Sequence, residues 1–504
     1  MVTDGGTSVR QNWNGRLRNW SLAIGQGKGQ RVRKELAAVT LKELPREKIA
    51  EFSAICRRAD RAEIGLRLLG PFVKAARRDP TAASPAELAE YAASLVRFGA
   101  GEEAISILRK IDPKEVPEAL LYLSYALASG WDYASMIPVL TAFLEQHRPD
   151  PYSAAIARVN LAAAYTWQEP GPAVVRLLEP LIEEARVNAW QLLHGNALEI
   201  LAQNAIARGD WAEAQSRLVQ SRKLLRESGV RDVFFARKWK VFLQLRRYGW
   251  TSNLEKAMAE LRSLAHRQGH WETLRQCELF GAIARKDDSL LEKLYFGTPF
   301  PAFQARVLMD WHRPIPQRYE WVLLEGESFP VLDLARGRCD GENVLTPGRA
   351  PHRALALLAR DFYRPIRLAS LALNLYPDEV YNPQTSPQRV HYVIAELRKH
   401  LKHGKVPLAV RGDDSGFRLL PTGPVRILIT RARAFERWED PLFENLRAAF
   451  GRRSFSTKEA HRQLGGSTRT VLRILTKGVE RGELGKKGKL STTCYCFLKG
   501  PSKK

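Results

Sequence analysis

The sequence predicts a mainly α-helical protein in which a long scaffold of stacked helix pairs precedes two smaller α+β modules. Between residues 34 and 300, apolar residues recur at helical spacing, with few β-branched runs and regular Gly-containing breaks. After Pro314 and Pro316, short apolar runs alternate with turn residues, which indicates strands. The length of 504 residues suits about three domains.

We divide the chain into four segments on this basis. They are a basic, flexible N-terminal segment, a helical repeat domain, a first module and a second module, over residues 1–33, 34–300, 319–421 and 425–504 respectively. The five cysteines are odd in number and scattered, so we expect a reducing cytosol and no disulfide framework. Cys494 and Cys496 share one face of a predicted strand, but no second ligand pair lies nearby and no metal site is expected.

Positive charge is concentrated in the last third of the chain. Of the formal net charge of +25, residues 341–504 carry +17, from 31 Lys and Arg against 14 Asp and Glu. A local excess of this size attracts polyanions by counterion release, so double-stranded DNA is the expected partner and an anionic membrane surface is the alternative. A chain that is basic over its whole surface would not concentrate its charge in this way.

The sequence predicts neither a membrane span nor a secretion signal. No run of 18 apolar residues occurs, and residues 1–29 contain no apolar core of the length that a signal peptide needs. We therefore expect a cytoplasmic, nucleoid-associated protein that does not bind membranes.

Small residues recur where helices of the scaffold approach each other. Around the turn at Gly209, large and small residues alternate at Leu198, Leu201, Ala202, Ala205, Ala214 and Leu218. The same offsets recur around Gly99 and, less completely, around Gly130. This pattern resembles a tetratricopeptide repeat, which implies an α-solenoid that binds a peptide or protein partner. A scaffold that only spaces the other domains or forms a homodimer fits the same pattern. We expect its aromatic residues to lie in the core.

The first module is predicted to contain strands, three helices and a hairpin. Thr346 is expected to cap the first helix, with Pro347 in its first turn. The second helix covers residues 368–375, and the third covers 386–401 with an apolar stripe at Val390, Ile394, Leu397 and Leu401. The hairpin strands are expected over residues 408–412 and 416–420.

These elements, with Leu-Thr-Pro at 345–347 and Gly-Phe-Arg at 416–418, resemble the OmpR/PhoB-type winged helix. The resemblance implies that the third helix enters the major groove of DNA while the hairpin wing reaches the neighbouring minor groove. It also implies a set of residues that face bases or phosphates, namely Gln388, Arg389, Tyr392, Ala395, Glu396 and Lys399 on the helix and Arg411 and Arg418 on the wing.

The first module departs from this family in three respects. Asp413 and Asp414 place two acidic residues at the tip of the wing, where they repel phosphates. Ala395 and Glu396 stand where the family commonly has basic residues, which leaves open a module that docks on protein. No acidic cluster of a receiver domain is visible in the first 300 residues, so phosphorelay control is not expected.

The second module is predicted to contain a helix-turn-helix followed by a basic hairpin. Residues 425–429 form a linking strand and residues 441–450 a helix, after which Ser456 or Thr457 caps a helix that ends at Gly465. Ser467 then caps a further helix, with Val471, Leu475 and Val479 on its apolar side. The arrangement resembles the general winged-helix class. It implies DNA contacts from Thr468, Arg469, Thr470 and Arg473 on the helix and from Lys486, Lys487 and Lys489 on the wing. A solvated basic tail is the alternative.

No enzymatic site is expected. The glycines at residues 25–29 and 482–489 lack the spacing of a phosphate-binding loop, and no nucleophile motif is present. His266 and His270 have the spacing of a metal pair, but Gly269 separates them and a surface turn is the better interpretation. The sequence therefore predicts a DNA-binding transcription regulator without cofactor or metal. A non-enzymatic adaptor, whose winged helices bind protein, is the alternative.

Overall fold

The computed structural model describes residues 13–25, 29–39, 41–146, 149–226, 230–327, 329–414, 416–430, 440–451, 453–464, 468–488 and 493–498. Within these residues the chain forms 23 α-helices and 10 strands. The strands all lie after residue 317. The prediction of a mainly helical chain that ends in smaller α+β regions is confirmed at this level.

The first 310 residues contain helices and short 3₁₀ turns. Helices α1 to α17 span Trp13–Gly25, Gly29–Ala37, Ile49–Arg58, Ala62–Ala76, Pro85–Arg97, Gly101–Leu108, Glu118–Ser129, Tyr133–Gln146, Pro151–Gln168, Pro172–Val187, Gln191–Arg208, Trp211–Leu225, Val230–Tyr248, Ser252–Gln268, Trp271–Arg285, Asp288–Phe296 and Pro301–Asp310. Successive helices from α3 to α17 pack against each other, as stacked helix pairs require.

The N-terminal segment is helical where a flexible segment is predicted. Trp13, Leu17 and Trp20 lie on one face of α1 and are buried. Both tryptophan rings meet the ring of Phe52 on α3 edge-on, with centroids 6.1 Å apart. The prediction is wrong for the described part of this segment, because the spacing of three large apolar residues gives α1 a face that packs on the scaffold.

The helix-turn-helix predicted at Gly209 is confirmed. Gly209 ends α11 in the left-handed conformation, with φ of 80°, which glycine adopts without strain. The side chain of Asp210 then accepts from the backbone N–H of Glu213 at 3.1 Å and caps α12. Ala205 and Ala214, on either side of the turn, are fully buried, so the two helices pack closely there.

Six aromatic residues of the scaffold that could have lined a ligand groove pack in or against its core, as predicted. Phe234 and Trp239 are buried members of one apolar cluster, and the rings of Trp211, Phe235 and Trp250 are among those that pack against it. Trp190 packs against a second cluster built around Leu193 and Leu201.

The chain divides into two compact units. One unit comprises Met1–Arg313, Arg360–His391 and Gly412–Arg418. The other comprises Pro314–Ala359, Tyr392–Arg411 and Leu419–Lys504. Part of the predicted first module therefore belongs to the same unit as the helical scaffold.

The described strands of the region after residue 317 form three sheets. Strands β1 to β4 span Arg318–Leu324, Val331–Asp333, Arg338–Cys339 and Glu342–Asn343, and β5 to β7 span Leu408–Asp413, Gly416–Pro421 and Val425–Thr430. The five-stranded sheet has the order β1-β7-β2-β3-β4, and β5 pairs with β6. The predicted hairpin is confirmed. Residues 425–430 are not a linking strand, because β7 pairs with both β1 and β2 in the interior of the five-stranded sheet.

Three helices follow the first strands. Helices α18 to α20 span Ala350–Leu358, Leu368–Leu375 and Ser386–His403. The second and third are confirmed, but the first begins four residues after the predicted cap Thr346. Gly348 has φ of 78°, which a right-handed helix excludes, and Pro351 instead occupies the first turn of α18.

The last described region contains α21 (Asp440–Phe450), β8 (Phe455–Ser456), α22 (Thr457–Leu464), α23 (Thr468–Glu480), β9 (Leu484–Lys487) and β10 (Cys494–Phe497). Its three strands form a separate sheet in the order β8-β10-β9. One apolar cluster joins the helices to the sheet, with Leu446, Phe455, Val471 and Leu475 at or below 1% exposure. These residues are therefore a core of their own.

A buried arginine joins the scaffold to the segment Arg360–His391 within the first unit. Arg275 of α15 is fully buried and donates to Asp361 at 2.7 Å and to Glu272. The rings of Phe300, Phe303 and Tyr363 surround the guanidinium group. Burial opposes the charge, but the two carboxylates outweigh it and raise the pKa of Arg275 above its ordinary value.

A second buried cation lies inside the scaffold. Lys238 of α13 is 6% exposed and donates to Gln276 Oε1 at 3.1 Å. Its ammonium group also lies over the rings of Phe235 and Trp239. Burial lowers the pKa of Lys238 to about 8, against the opposing effect of the Glu199 carboxylate.

Replacing Arg275 by Met should destabilise the protein by about 3 to 5 kcal/mol, because it leaves the Asp361 carboxylate in a buried site without its cation. The matched control is Arg186→Met, which removes an ion pair with Glu183 whose side chains are 65% and 63% exposed. That change should cost far less, because solvent screens the attraction between two exposed side chains. Urea denaturation, monitored by tryptophan fluorescence, measures the loss of unfolding free energy in both variants. Equal losses would contradict a larger contribution from the buried ion pair.

Replacing Lys238 by Met should remove a pH-dependent part of the stability. The unfolded chain keeps the Lys238 proton up to its ordinary pKa of 10.5, while the folded chain releases it near pH 8. The unfolded state binds more protons between these values, so the free energy of unfolding rises with pH there, by about 3 kcal/mol in total. Denaturation below pH 8 and near pH 10.5 should show this rise in the wild type and in the control Lys240→Met, an exposed lysine on the same helix. A rise of the same size in Lys238→Met would refute the lowered pKa.

Candidate nucleic-acid interface

Helix α20 has one apolar and one polar face, as its sequence predicts. Val390, Ile394, Leu397 and Leu401 are all buried. Gln388, Arg389, Tyr392, Ala395 and Lys399 are exposed and Glu396 is half-buried. The predicted contact residues of this helix therefore share its solvent face, and Tyr392, at 68% exposure, is the most prominent apolar side chain on it.

Arg389 lies near the start of α20 and is engaged within the chain. It pairs with the carboxylate of Glu379, and its guanidinium group lies 3.8 Å from the ring centroid of Tyr376. Both partners belong to the loop that precedes α20. Residues at the start of a recognition helix are the ones that reach base edges, so this carboxylate lies where DNA would have to approach.

The other predicted cations of the first module differ in their surroundings. Lys399 lies 3.8 Å from Glu396 on the same helix face, and Arg418 of β6 lies 3.3 Å from Asp413 of β5. Arg411 of β5 is exposed and has no ion pair within the described residues. Three of the four predicted cations thus have an acidic partner in the module itself.

Helix α20 contacts the hairpin through two of its side chains, those of Arg398 and His391. Arg398 donates from both Nε and Nη2 to the carbonyl of Val410, at 2.9 and 2.8 Å. The ring of His391 meets the ring of Phe417 edge-on, with centroids 5.7 Å apart. Each strand of the hairpin is therefore in contact with the helix.

Helix α23 of the second module exposes Thr468 and Arg473, while Val471, Ile474 and Leu475 are buried. Thr468 is the first residue of the helix, so its side chain lies at the N-terminal end. Arg469 and Thr470 lie in the helix, but their side chains fall outside the described part of the chain, as does Lys489 entirely. Two of the four predicted contact residues of α23 are therefore exposed, and the contact itself stays a prediction.

The wing lysines Lys486 and Lys487 are both exposed on β9, an edge strand of its sheet. Lys486 pairs in register with the buried Tyr495, and Lys487 pairs with Cys494. Successive side chains of a strand point to opposite faces, so these two lysines do not form one patch by themselves.

Two further cations of the second module were not predicted as contact residues. Lys458 and Arg462 are exposed on α22, four residues apart and therefore on one face of this helix. The N-terminus of α22 is fixed by Ser456, whose N–H donates to Glu459 Oε2 at 2.8 Å while its Oγ accepts from the Glu459 N–H at 3.2 Å. The four-residue spacing of these two basic side chains is visible in the sequence and indicates that they share one helix face.

The histidine pair His266 and His270 has a structural explanation. Gly269 ends α14 with φ of 70° between the two candidate metal ligands, and His270 stacks on Phe234 at 4.2 Å. Over the described ranges, we find no group of three acidic, His or Cys side chains suited to a metal ion. No helix in the described parts of the chain has the length and apolar character to cross a bilayer.

No protein-family model matches the sequence, and no curated protein matches it at a significant level. The interpretation of both modules therefore depends on the geometry and charge described above.

Proposed function

We propose that this chain is a DNA-binding transcription regulator whose C-terminal modules are winged helices that contact duplex DNA. The observation that carries the proposal is the charge of the second module. Residues 440–504 contain 15 Lys and Arg against 5 Asp and Glu. Lys458, Arg462, Lys486 and Lys487 are exposed there and form no ion pair with a described carboxylate. Cations of this kind attract the phosphates of DNA.

The order of elements supports the winged-helix interpretation of both modules. In each, a helix of 8 residues, α19 or α22, precedes an amphipathic helix, α20 or α23, and a two-stranded hairpin follows. An amphipathic helix with a polar outer face suits the major groove, and a hairpin beside it suits the adjacent backbone.

The helical scaffold is proposed to be tetratricopeptide-like and to bind a protein or peptide partner or to form a homodimer. Two of its helices pack closely at the small residues Ala205 and Ala214, on either side of a glycine turn, as that type of repeat requires. A cytoplasmic, nucleoid-associated location follows from the proposed DNA binding and from the reduced state expected of its cysteines, which are all free.

The first module also favours a second candidate function, a protein-binding adaptor. The exposed face of α20 combines Tyr392 with the ion pair of Glu396 and Lys399. Such a mixed surface, with an exposed aromatic ring at its centre, suits a protein partner at least as well as a phosphate backbone.

We expect the full-length chain to bind duplex DNA with strong salt dependence. Raising the salt concentration from 0.05 to 0.2 M should weaken binding by roughly 100- to 1,000-fold, because each neutralised phosphate releases counterions. Fluorescence anisotropy with a labelled duplex of mixed sequence measures this response. Absent binding, or an affinity that does not change with salt, would contradict the proposal and favour the adaptor.

A further inference from the structure

We infer that the second module alone holds the DNA backbone, through the exposed cations Lys458, Arg462 and Lys487, while three of the four predicted cations of the first module serve internal ion pairs. The inference rests on the proposed function and assigns it to one of the two modules. It also adds two residues of α22 that lie outside the predicted recognition helix and wing.

The acidic partners of the first module make it a poor polyanion site. To contact a phosphate, Arg389 would have to leave Glu379 and Tyr376, and that carboxylate would then face the DNA. Lys399 and Arg418 each carry a carboxylate of the same surface within 4 Å. A phosphate contact made by any of these three cations would therefore be accompanied by a repulsive one.

Glu379 is held in position by the scaffold. Within the first unit, Arg77, the residue that follows α4, donates to the backbone carbonyl of Glu379 at 3.1 Å. Two residues later, the hydroxyl of Tyr91 on α5 donates to the carbonyl of Tyr381 at 3.2 Å, and Tyr381 is buried. The backbone of the loop before α20 is thus held at Glu379 and at Tyr381, which places the Glu379 side chain beside Arg389.

The sheet of the second module fixes the position of Lys487. Ser456 of β8, Cys494 of β10 and Lys487 of β9 are direct neighbours in register, so their side chains share one face. With about 4.8 Å between strands, the backbone of Lys487 lies about 10 Å from that of Ser456. Helix α22 begins at the residue after Ser456, which places Lys458 two residues beyond this row.

Arg462 lies one helical turn from Lys458, about 6 Å further along the axis of α22, and both side chains are exposed. Glu459, the carboxylate of α22, accepts bonds from Ser456 and lies 3.9 Å from Arg453. None of the three cations forms an ion pair with a described carboxylate, in contrast to Arg389, Lys399 and Arg418. In helix-turn-helix proteins the first helix crosses the phosphate backbone, and α22 has that position here.

The test compares two triple variants of the full-length chain that remove the same charge. One is Lys458→Gln, Arg462→Gln and Lys487→Gln, and the other is Arg389→Gln, Lys399→Gln and Arg418→Gln. Anisotropy titrations with the labelled duplex are run for both variants and for the wild type at several salt concentrations. Because each variant loses three positive charges, any difference between them reports position and not net charge.

The second-module variant should bind roughly 10- to 100-fold more weakly, and the slope of log affinity against log salt should fall by about three, as the loss of three phosphate contacts requires. The first-module variant should bind within about twofold of the wild type. Equal losses, or a larger loss in the first-module variant, would overturn the inference. If the wild type itself does not bind the duplex, the proposed function fails as well, and the salt titration of the wild type identifies that case.

Thermal unfolding of each variant checks that the modules remain folded. If the first-module triple variant melts early because its Arg389–Glu379 pair is lost, the double variant Lys399→Gln and Arg411→Gln replaces it, with the pair intact. It is compared with Lys458→Gln and Arg462→Gln, so that the charge change is again matched. The expected order of affinities is unchanged, and the reverse order refutes the inference.

Discussion

The arrangement of the first unit depends on the ionic contact between Arg275 and Asp361. A guanidinium group that is fully buried is tolerable only because two carboxylates and three aromatic rings surround it. Asp361 also accepts from the N–H groups of Tyr363 and Arg364, at 3.0 Å each, so the same carboxylate shapes the turn that leads into the segment before α19. One buried charge therefore fixes both a helix of the scaffold and a turn far along the chain.

This contact is part of a wider polar network. Tyr363 donates to Glu278, which in turn pairs with Lys293 at 2.8 Å, and Phe362 donates its N–H to the carbonyl of Gly297 at 3.1 Å. A Cβ on Gly297 would lie 2.3 Å from the Phe362 ring, so only glycine permits this approach. The segment Arg360–His391 is consequently built into the helical unit, and its acidic residue Glu379 keeps a fixed place beside Arg389.

Charge has different consequences in the two modules, although both are rich in Lys and Arg. Where Glu379, Glu396 and Asp413 lie beside the cations, the positive potential is cancelled locally. Lys458, Arg462 and Lys487 of the second module form no ion pair with a described carboxylate, although Glu459 of α22 stays charged within its bonds to Ser456. The net charge of a region therefore does not decide which of its cations are paired.

The sequence by itself determined the mainly helical class, the glycine turn at Gly209, the apolar stripe of α20 and the capped start of α22, because each depends on residues within a few positions of one another. Tertiary structure alone decided the packing of Trp13 and Trp20 on Phe52, the pairing of β7 inside its sheet, and the start of α18 beyond Gly348. It also decided which cations have acidic partners, since the ion pair of Arg389 and Glu379 joins residues ten positions apart. Likewise, Lys487 lies in register with Cys494 and Ser456 only because their three strands pair. Periodicity and capping act locally, whereas strand order and buried ion pairs depend on contacts between residues that are distant in the chain.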